Sequence, residues 1–540
     1  MPIPSVGKRT LRDLWQEQAR VHSDRPFLVY ENEAGEVEQY SYAAFNAEIN
    51  KAANLLQTLG VAHGDRVVVH MRNHPNVLRL WFALAKIGAI FVPNNCNNTA
   101  RETAYVLSYS GASVVVTEPA FVDLVQSCAA EVTAVRHKLL SHGETTEVGW
   151  LRLEDLLSES SADEPSTPIA PDDVCQILFT SGTTAHPKGV MLTHANHLVA
   201  GERESMAMQL TAADRALAAR PLYHVNAQTI TVLSSLTVGA TVVLLESYHA
   251  SRFIEQLCRH GATTCAVGPA FMRTMLAQKP SPQDRAHRLT NVPTAINPTD
   301  AEKEAFEQRF GVRLVNGYGL SEAFTMVTQA PMGGERHWPS IGRPVIGRTV
   351  RLVDADGGEV APGVVGEITV RGELGFDLMA GYYRAEEQTR QTVVDGWLHT
   401  GDLATVDEAG RLYFYDRAKD IIKRGGENVA ASEVEGVLLE HPAVAEAAVL
   451  AVPHPVYDQT PMAVVVFEAG ASVDVAELEQ WCRQRLAKFK VPTVWESLSA
   501  LPRRFPGSAK VDKGALRSRY GIASAATLKS SGTAMQGQPS

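Results

Sequence analysis

The sequence predicts an α/β protein. It has a large N-terminal domain of α/β layered subdomains plus a β-rich subdomain, and a small α+β domain behind it. Three observations carry this. Helical and strand periodicities alternate through the first third and again over roughly 195–313, the pattern of layered, largely parallel sheets. From Ile341 to Val370 the texture turns to short strands between Gly/Pro turns. At 540 residues the chain is also longer than a single core usually organises.

The elements follow in order. Tyr42 to Leu59 has apolar residues at helical spacing and stops at Gly60, and Asp65 to His70 reads as a strand. Asn76 to Ile87 reads as a helix closed by Gly88. Ala89 to Pro93 and Ser113 to Thr117 read as the next strands. Residues 158–173, rich in Ser, Asp, Glu and Pro, predict an exposed connection. Asp416 to Asp420 is charged and weakly patterned. Beyond it Glu433–Leu439, Ala447–Val452, Met462–Phe467 and Val475–Leu486 read as helix, strand, strand, helix. The expected domains are therefore 1–418 and 419–520. A tail, 521–540, is small, polar and expected to be disordered.

Fifty basic against sixty acidic residues argue against a nucleic-acid partner. Six scattered cysteines form no Cys-x-x-Cys pair, so neither a zinc site nor a disulfide framework is indicated. No secretory signal core opens the sequence, and no apolar run approaches the ~20 residues of a membrane helix. A cytoplasmic protein without membrane insertion is expected.

The chemistry concentrates in Ile177 to Thr193, ILFTSGTTAHPKGVMLT. An apolar strand runs into Thr180-Ser181-Gly182-Thr183-Thr184, and Lys188 follows shortly after. Small residues let backbone N–H groups approach a polyanion, hydroxyls add donors, and lysine adds a cation. This is the composition of a phosphate-gripping loop. It is not a Walker A loop, because Lys188 precedes Gly189 and no Gly-Lys-Ser/Thr occurs in the chain. The string resembles the signature loop of the adenylate-forming superfamily: acyl-CoA synthetases, carrier-protein adenylation domains and firefly-type luciferases. In that family the loop holds the β- and γ-phosphates of ATP.

Further motifs follow in the superfamily's order. Asn316-Gly-Tyr-Gly-Leu-Ser-Glu322 offers paired glycines, a flat ring and a carboxylate suited to a divalent cation. By resemblance Tyr318 stacks on adenine beside Gly319, Ser321 contacts the α-phosphate region, Glu322 binds Mg²⁺, and Gly317 borders the acyl pocket. Gly396 to Asp402 resembles the ribose motif, which assigns Asp402 and Arg417 to the ribose. Lys419 falls at the family's hinge. Lys423, Gly425 and Gly426 match the loop that lines the pantetheine tunnel. Leu501 to Lys513 resembles the segment of the catalytic lysine. Two extra residues, Ser508 and Ala509, precede it, and the downstream register selects Lys510, with Lys513 as the fallback.

Pro221 to Gln228 matches the acyl-pocket motif, with His224 at the position that gates the carboxylate. A buried structural histidine is an equally open reading there. Asn226 and Gln228, with Asn297 from the atypical Ala295-Ile-Asn-Pro-Thr299 turn, make the matched segments polar. Trp338–Arg343, Ile422–Val429 and Ala487–Pro492 resemble the crotonobetaine/carnitine–CoA ligases in particular. The resemblance implies an enzyme that uses ATP and Mg²⁺ to adenylate a carboxylate and then transfers the acyl group to coenzyme A. A small or medium polar acid is the expected substrate. A carrier-protein thiol as acceptor, a luciferase-like oxidation and a medium- or long-chain fatty acid substrate are the alternatives. The resemblance leaves room for a homodimer.

Overall fold

The computed structural model describes residues 6–522 except 131, 145–147, 181–186, 296–297, 299, 355, 418–420, 469, 472, 503–510 and 512. The side chains of 415–417, 421, 428 and 432 also lie outside the description. The described residues fall into two compact units. The first takes 6–180, 188–350 and 370–398; the second takes 187, 351–369 and 399–522.

In the first unit an eight-stranded sheet has the order Gly381–Tyr382, Lys188–Thr193, Val174–Thr180, Ile90–Pro93, Arg66–His70, Val114–Thr117, His137–Leu140 and Trp150–Arg152. From Val174–Thr180 to Trp150–Arg152 every pairing is parallel. The inner strands Ile90–Pro93, Arg66–His70 and Val114–Thr117 are short, mostly apolar, buried runs because parallel sheets are covered on both faces. Lys188–Thr193 returns antiparallel, with Thr180 opposite Lys188. A second sheet orders Thr264–Cys265, Arg215–Ala218, Thr241–Leu245, Pro26–Glu31 and Val37–Ser41. A third orders Asn291–Ala295, Arg313–Leu320, Thr325–Gln329 and Arg343–Pro344. The main core buries Trp15, Phe27, Phe45, Trp81 and Phe82, and it extends to Phe324, Met379 and Tyr382.

The predicted helices appear as Tyr42–Thr58 and Pro75–Lys86, capped by Ser41 and His74. The connection over 158–173 is less exposed than its composition suggests. Lys86, fully buried on Pro75–Lys86, donates to Asn46, Asn50 and Glu164, each at 2.7 Å. Arg12 donates to the carbonyls of Pro165 and Thr167. A polar segment can thus be fastened through its backbone, which hydropathy does not register.

In the second unit the strands Gly366–Arg371, Trp397–Val406 and Leu412–Arg417 lie side by side, the first two starting or ending in residues of the first unit. A further sheet orders Glu427–Ala430, Ile421–Arg424, Asp458–Phe467 and Val444–His454, with Val494–Ser497 parallel to Asp458–Phe467. Helices Ala431–Leu439 and Val475–Arg483 pack on it through Val434, Leu438, Leu478 and Cys482. The predicted helix–strand–strand–helix order is recovered. The tail expected beyond Gly521 lies outside the described residues, apart from Gly521 and Ile522.

Candidate active site

Glu322, Lys188 and Tyr382 meet at the edge of the eight-stranded sheet. Lys188 opens the strand Lys188–Thr193, which pairs with Gly381–Tyr382 in the register Tyr382 to Val190. The Lys188 ammonium lies 4.7 Å from the centre of the Tyr382 ring. The Tyr382 hydroxyl donates to Glu322 Oε1 at 2.7 Å. Burial and the adjacent Glu322 carboxylate push the phenol's pKa upward, so the proton stays on the oxygen and the bond keeps its direction. Met379 N–H donates to Glu322 O at 2.8 Å, so the same loop grips the residue by backbone and side chain.

That loop is itself fastened. Thr193 and Asn196 form a capping box at the start of the helix His194–Ala207. Asn196 also donates to the carbonyls of Phe376 and Leu378, and Thr193 to Gly375 O. Ala380 N–H and Tyr383 N–H add bonds to Met191 O and Gly189 O. A cation, a phenol and a carboxylate are therefore held by backbone ladders rather than by chance side-chain packing.

Among the described residues no cluster of three or more His, Cys, Asp or Glu side chains could hold a metal ion. Glu322 is half-buried, and its Oε2 makes no hydrogen bond among the described residues. This donor set fits a Mg²⁺ held by one carboxylate together with substrate phosphates and water.

The sequence motif Asn316–Glu322 spans a strand end and the turn after it: Arg313–Leu320 runs to the edge, and a single turn, Ser321–Ala323, follows. Ser321 is half-buried on that turn. A Cβ on Gly317 would fall 2.0 Å from Met326 Cε, and one on Gly319 2.9 Å from Thr325 O. Both glycines thus allow close approach to the neighbouring strand. Tyr318 between them is 8 % exposed.

The acyl-pocket segment divides in two. Tyr223, His224, Val225 and Asn226 are half-buried, and the rings of Tyr223 and His224 lie 4.7 Å apart. The Asn226 amide makes no hydrogen bond among the described residues. A π-helix, Ala227–Leu233, begins directly after it, a distortion frequent at functional sites. Gln228 turns inward instead and is fully buried. Its Nε2 donates to Leu222 O and its Oε1 accepts from Gln176, both at 2.8 Å. Period and polarity do not reveal such inward pairing, so the sequence alone places Gln228 among the polar residues of the matched pocket segment.

In the second unit Asp402 is 1 % exposed and stands opposite Arg417 in the strand pair. Glu367 shapes the turn before it, accepting from Gly401 N–H at 2.8 Å and lying 2.9 Å from His399 Nδ1. Lys423, on Ile421–Arg424, lies 4.8 Å from the Phe414 ring, and its N–H donates to Gln459. Gly425 and Gly426 are the two residues of a hairpin turn, with φ of 61° and 92°. Two positive φ values make a turn that glycine fits best. Lys513, the fallback lysine, pairs with Glu435 at 2.7 Å. Ser181, Gly182, Thr183, Thr184, Asn297, Lys419 and Lys510 lie outside the described residues, as does the side chain of Arg417.

The sequence matches the AMP-binding enzyme family over residues 15–383 and the AMP-binding enzyme C-terminal domain over residues 433–507. The chain belongs to the AMP-binding enzyme family. This AMP-binding enzyme is 39 % identical over 510 residues to a crotonobetaine/carnitine–CoA ligase of Proteus mirabilis, covering 93 % of the chain and 98 % of the relative. A ligase of the same description from Shigella dysenteriae is 37 % identical over 512 residues, with the same coverage. Among solved structures it resembles o-succinylbenzoate CoA synthetase from Bacillus subtilis, with TM-score 0.82 and 26 % identity over 95 % of this chain and 99 % of that one. ATP-bound MatB from Rhodopseudomonas palustris matches with TM-score 0.68 and 28 % identity over the same shares. Tyr382 is a residue of this candidate site that sequence reasoning missed. Its only local signal is Ala380-Gly-Tyr-Tyr383, which carries no chemistry until folding brings it to Glu322.

Proposed function

We propose that the chain is an AMP-forming carboxylate–CoA ligase. The observation that carries this is the convergence of Lys188 and Glu322 on Tyr382, beside the strand that enters the phosphate-gripping segment, in a chain covering nearly the whole length of named CoA ligases. Mg²⁺ at Glu322 would neutralise phosphate charge that otherwise repels the incoming carboxylate. Lys188 adds a fixed positive charge, and Tyr382 keeps the Glu322 carboxylate aimed. Thr180 through Thr184 supply backbone and hydroxyl donors to the β- and γ-phosphates, Tyr318 a face for adenine, and Asp402 with Arg417 the ribose contacts.

In the first step a carboxylate oxygen attacks the α-phosphorus of ATP and pyrophosphate leaves, giving acyl-AMP. Lys510 stabilises the charge that develops there. In the second, the 419–520 domain rotates about Lys419, and the Lys423–Gly426 hairpin borders the path by which the CoA thiol reaches the acyl carbonyl. AMP is then released. All six cysteines are free thiols, in keeping with a cytoplasmic enzyme using cytoplasmic ATP and CoA.

The substrate is a small or medium polar carboxylate of carnitine-like size. Half-buried His224 and the amide of Asn226 support this, since an amide facing an alkyl chain without a partner costs about 1–3 kcal/mol. Gln228 contributes nothing to that argument, because its amide is already paired. The test compares kcat/KM for carnitine-like, hydroxy and aryl acids with that for medium- and long-chain fatty acids. Preference for the polar acids is expected. A roughly tenfold preference for fatty acids, about 1.4 kcal/mol, would overturn the substrate reading.

A further inference from the structure

Beneath Glu322 lies a buried charged cluster that the proposed reaction does not use. The side chains of Glu204, on His194–Ala207, and Arg348, behind Arg343–Pro344, are fully inaccessible, and Arg203 is 1 % exposed. Glu204 Oε1 accepts from Met326 N–H at 2.6 Å and from the Thr325 hydroxyl. Arg348 donates from Nη2 to Ala323 O and from Nη1 to Asp377 O, each at 2.6 Å. Arg203 donates from Nη2 to Asp377 Oδ2 and to Gly347 O, each at 2.9 Å.

All of these bonds except that to Gly347 O end on the turn bearing Glu322 or on the segments that flank it. Ala323 and Thr325–Met326 are the residues immediately after Glu322, and Asp377 belongs to the loop whose Met379 and Tyr382 grip it. Between the two anchored points Phe324 has φ 48°, a left-handed conformation that a buried phenylalanine adopts only under constraint. Glu204 Oε2, Arg203 Nε and Nη1, and Arg348 Nε find no hydrogen-bond partner among the described residues. Ions placed this way do not favour stability, since apolar residues of equal volume serve a core as well or better. What they supply here is aim.

We propose that Glu204 and Arg348 are positioning residues: a clamp that holds Ser321–Met326 in the one backbone arrangement that brings Glu322 to Tyr382 and the metal. Because His194–Ala207 follows directly on the strand that begins at Lys188, the clamp also fixes Glu322 relative to that lysine. The inference rests on the assignment of Glu322 to Mg²⁺.

The test uses the full-length protein and titrates Mg²⁺ while ATP binding is followed by calorimetry, with no carboxylate or CoA present. Glu322→Gln serves as the reference. Arg348→Met is expected to raise the Mg²⁺ concentration at half-maximal binding about tenfold, the usual effect of removing a support behind a metal ligand. Metal-free ATP binding and thioester formation from supplied acyl-AMP are expected to change less than about twofold. Arg348→Lys should recover part of the loss. Thr325→Val, a smaller change that removes one donor to Glu204, should shift the Mg²⁺ midpoint about threefold, the scale of one hydrogen bond. If Arg348→Met does not fold, Thr325→Val decides. An unchanged midpoint in a folded variant, or an equal loss with and without Mg²⁺, would overturn the clamp. Normal Mg²⁺ dependence in Glu322→Gln would instead sink the metal assignment beneath it.

Discussion

Tyr382 holds Glu322 with its hydroxyl while its ring faces Lys188. Tyr382→Phe keeps the ring and deletes the donor. Hydrogen bonds to charged groups contribute about 1.5–3 kcal/mol, so KM for MgATP should rise roughly tenfold or more while thermal unfolding moves little. Unchanged steady-state kinetics would show that the bond does not aim the carboxylate. Lys513 separates the two lysine registers in the same way. With Lys513 engaged by Glu435, Lys513→Ala should cost adenylation little, whereas Lys510→Ala should lose about 10²-fold or more. The reverse pattern in a pyrophosphate-release assay would move the catalytic role to Lys513. At this scale the sequence named Glu322 and Lys188 through their motifs. It could not name Tyr382, which lies sixty residues from Glu322 and meets it only through strand pairing.

At the scale of elements, the Gly425–Gly426 hairpin carries a double requirement. Its positive φ values demand glycine for conformation, and its proposed place on the thiol path demands glycine for space. Gly425→Ala isolates the first requirement, since its Cβ would meet the Tyr457 ring at 3.0 Å within the same unit. Gly426→Leu adds bulk. Both should lower the unfolding temperature, but only Gly426→Leu should slow thioester formation while sparing pyrophosphate release. Parallel loss of both half-reactions in Gly426→Leu would leave the glycine a purely structural role. Periodicity located the helices Tyr42–Thr58 and Pro75–Lys86 and the strands between them, because each buries one continuous apolar face or run. It did not locate the pinning of 158–173 by Lys86 and Arg12, because those bonds go largely to backbone carbonyls that no residue pattern records.

At the scale of the whole molecule, buried histidines set the response to acid. Burial lowers the pKa of His70 and His194 from 6.5 to about 4 and that of His197 to about 3. The unfolded chain therefore takes up these protons first as pH falls. Stability from this source is complete above pH 6.5 and is lost as pH drops from there towards the folded values. Each group contributes up to ~1.4 kcal/mol per pH unit, so the three together give about 4 kcal/mol per unit. Urea midpoints of the intact protein should fall steeply from pH 6.5 to 5 and be nearly flat above pH 7.5. A flat profile across that range would mean that the histidines are not held neutral. The central claim, that two half-reactions share one adenylate, has a direct measurement. The enzyme is incubated with ATP, Mg²⁺ and a carboxylate that it turns over, without CoA, and CoA is then added. Mass spectrometry should detect acyl-AMP and pyrophosphate in equal amounts before the addition, and thioester with AMP after it. ADP and phosphate in place of AMP and pyrophosphate, or an adenylate that CoA does not consume, would contradict the account.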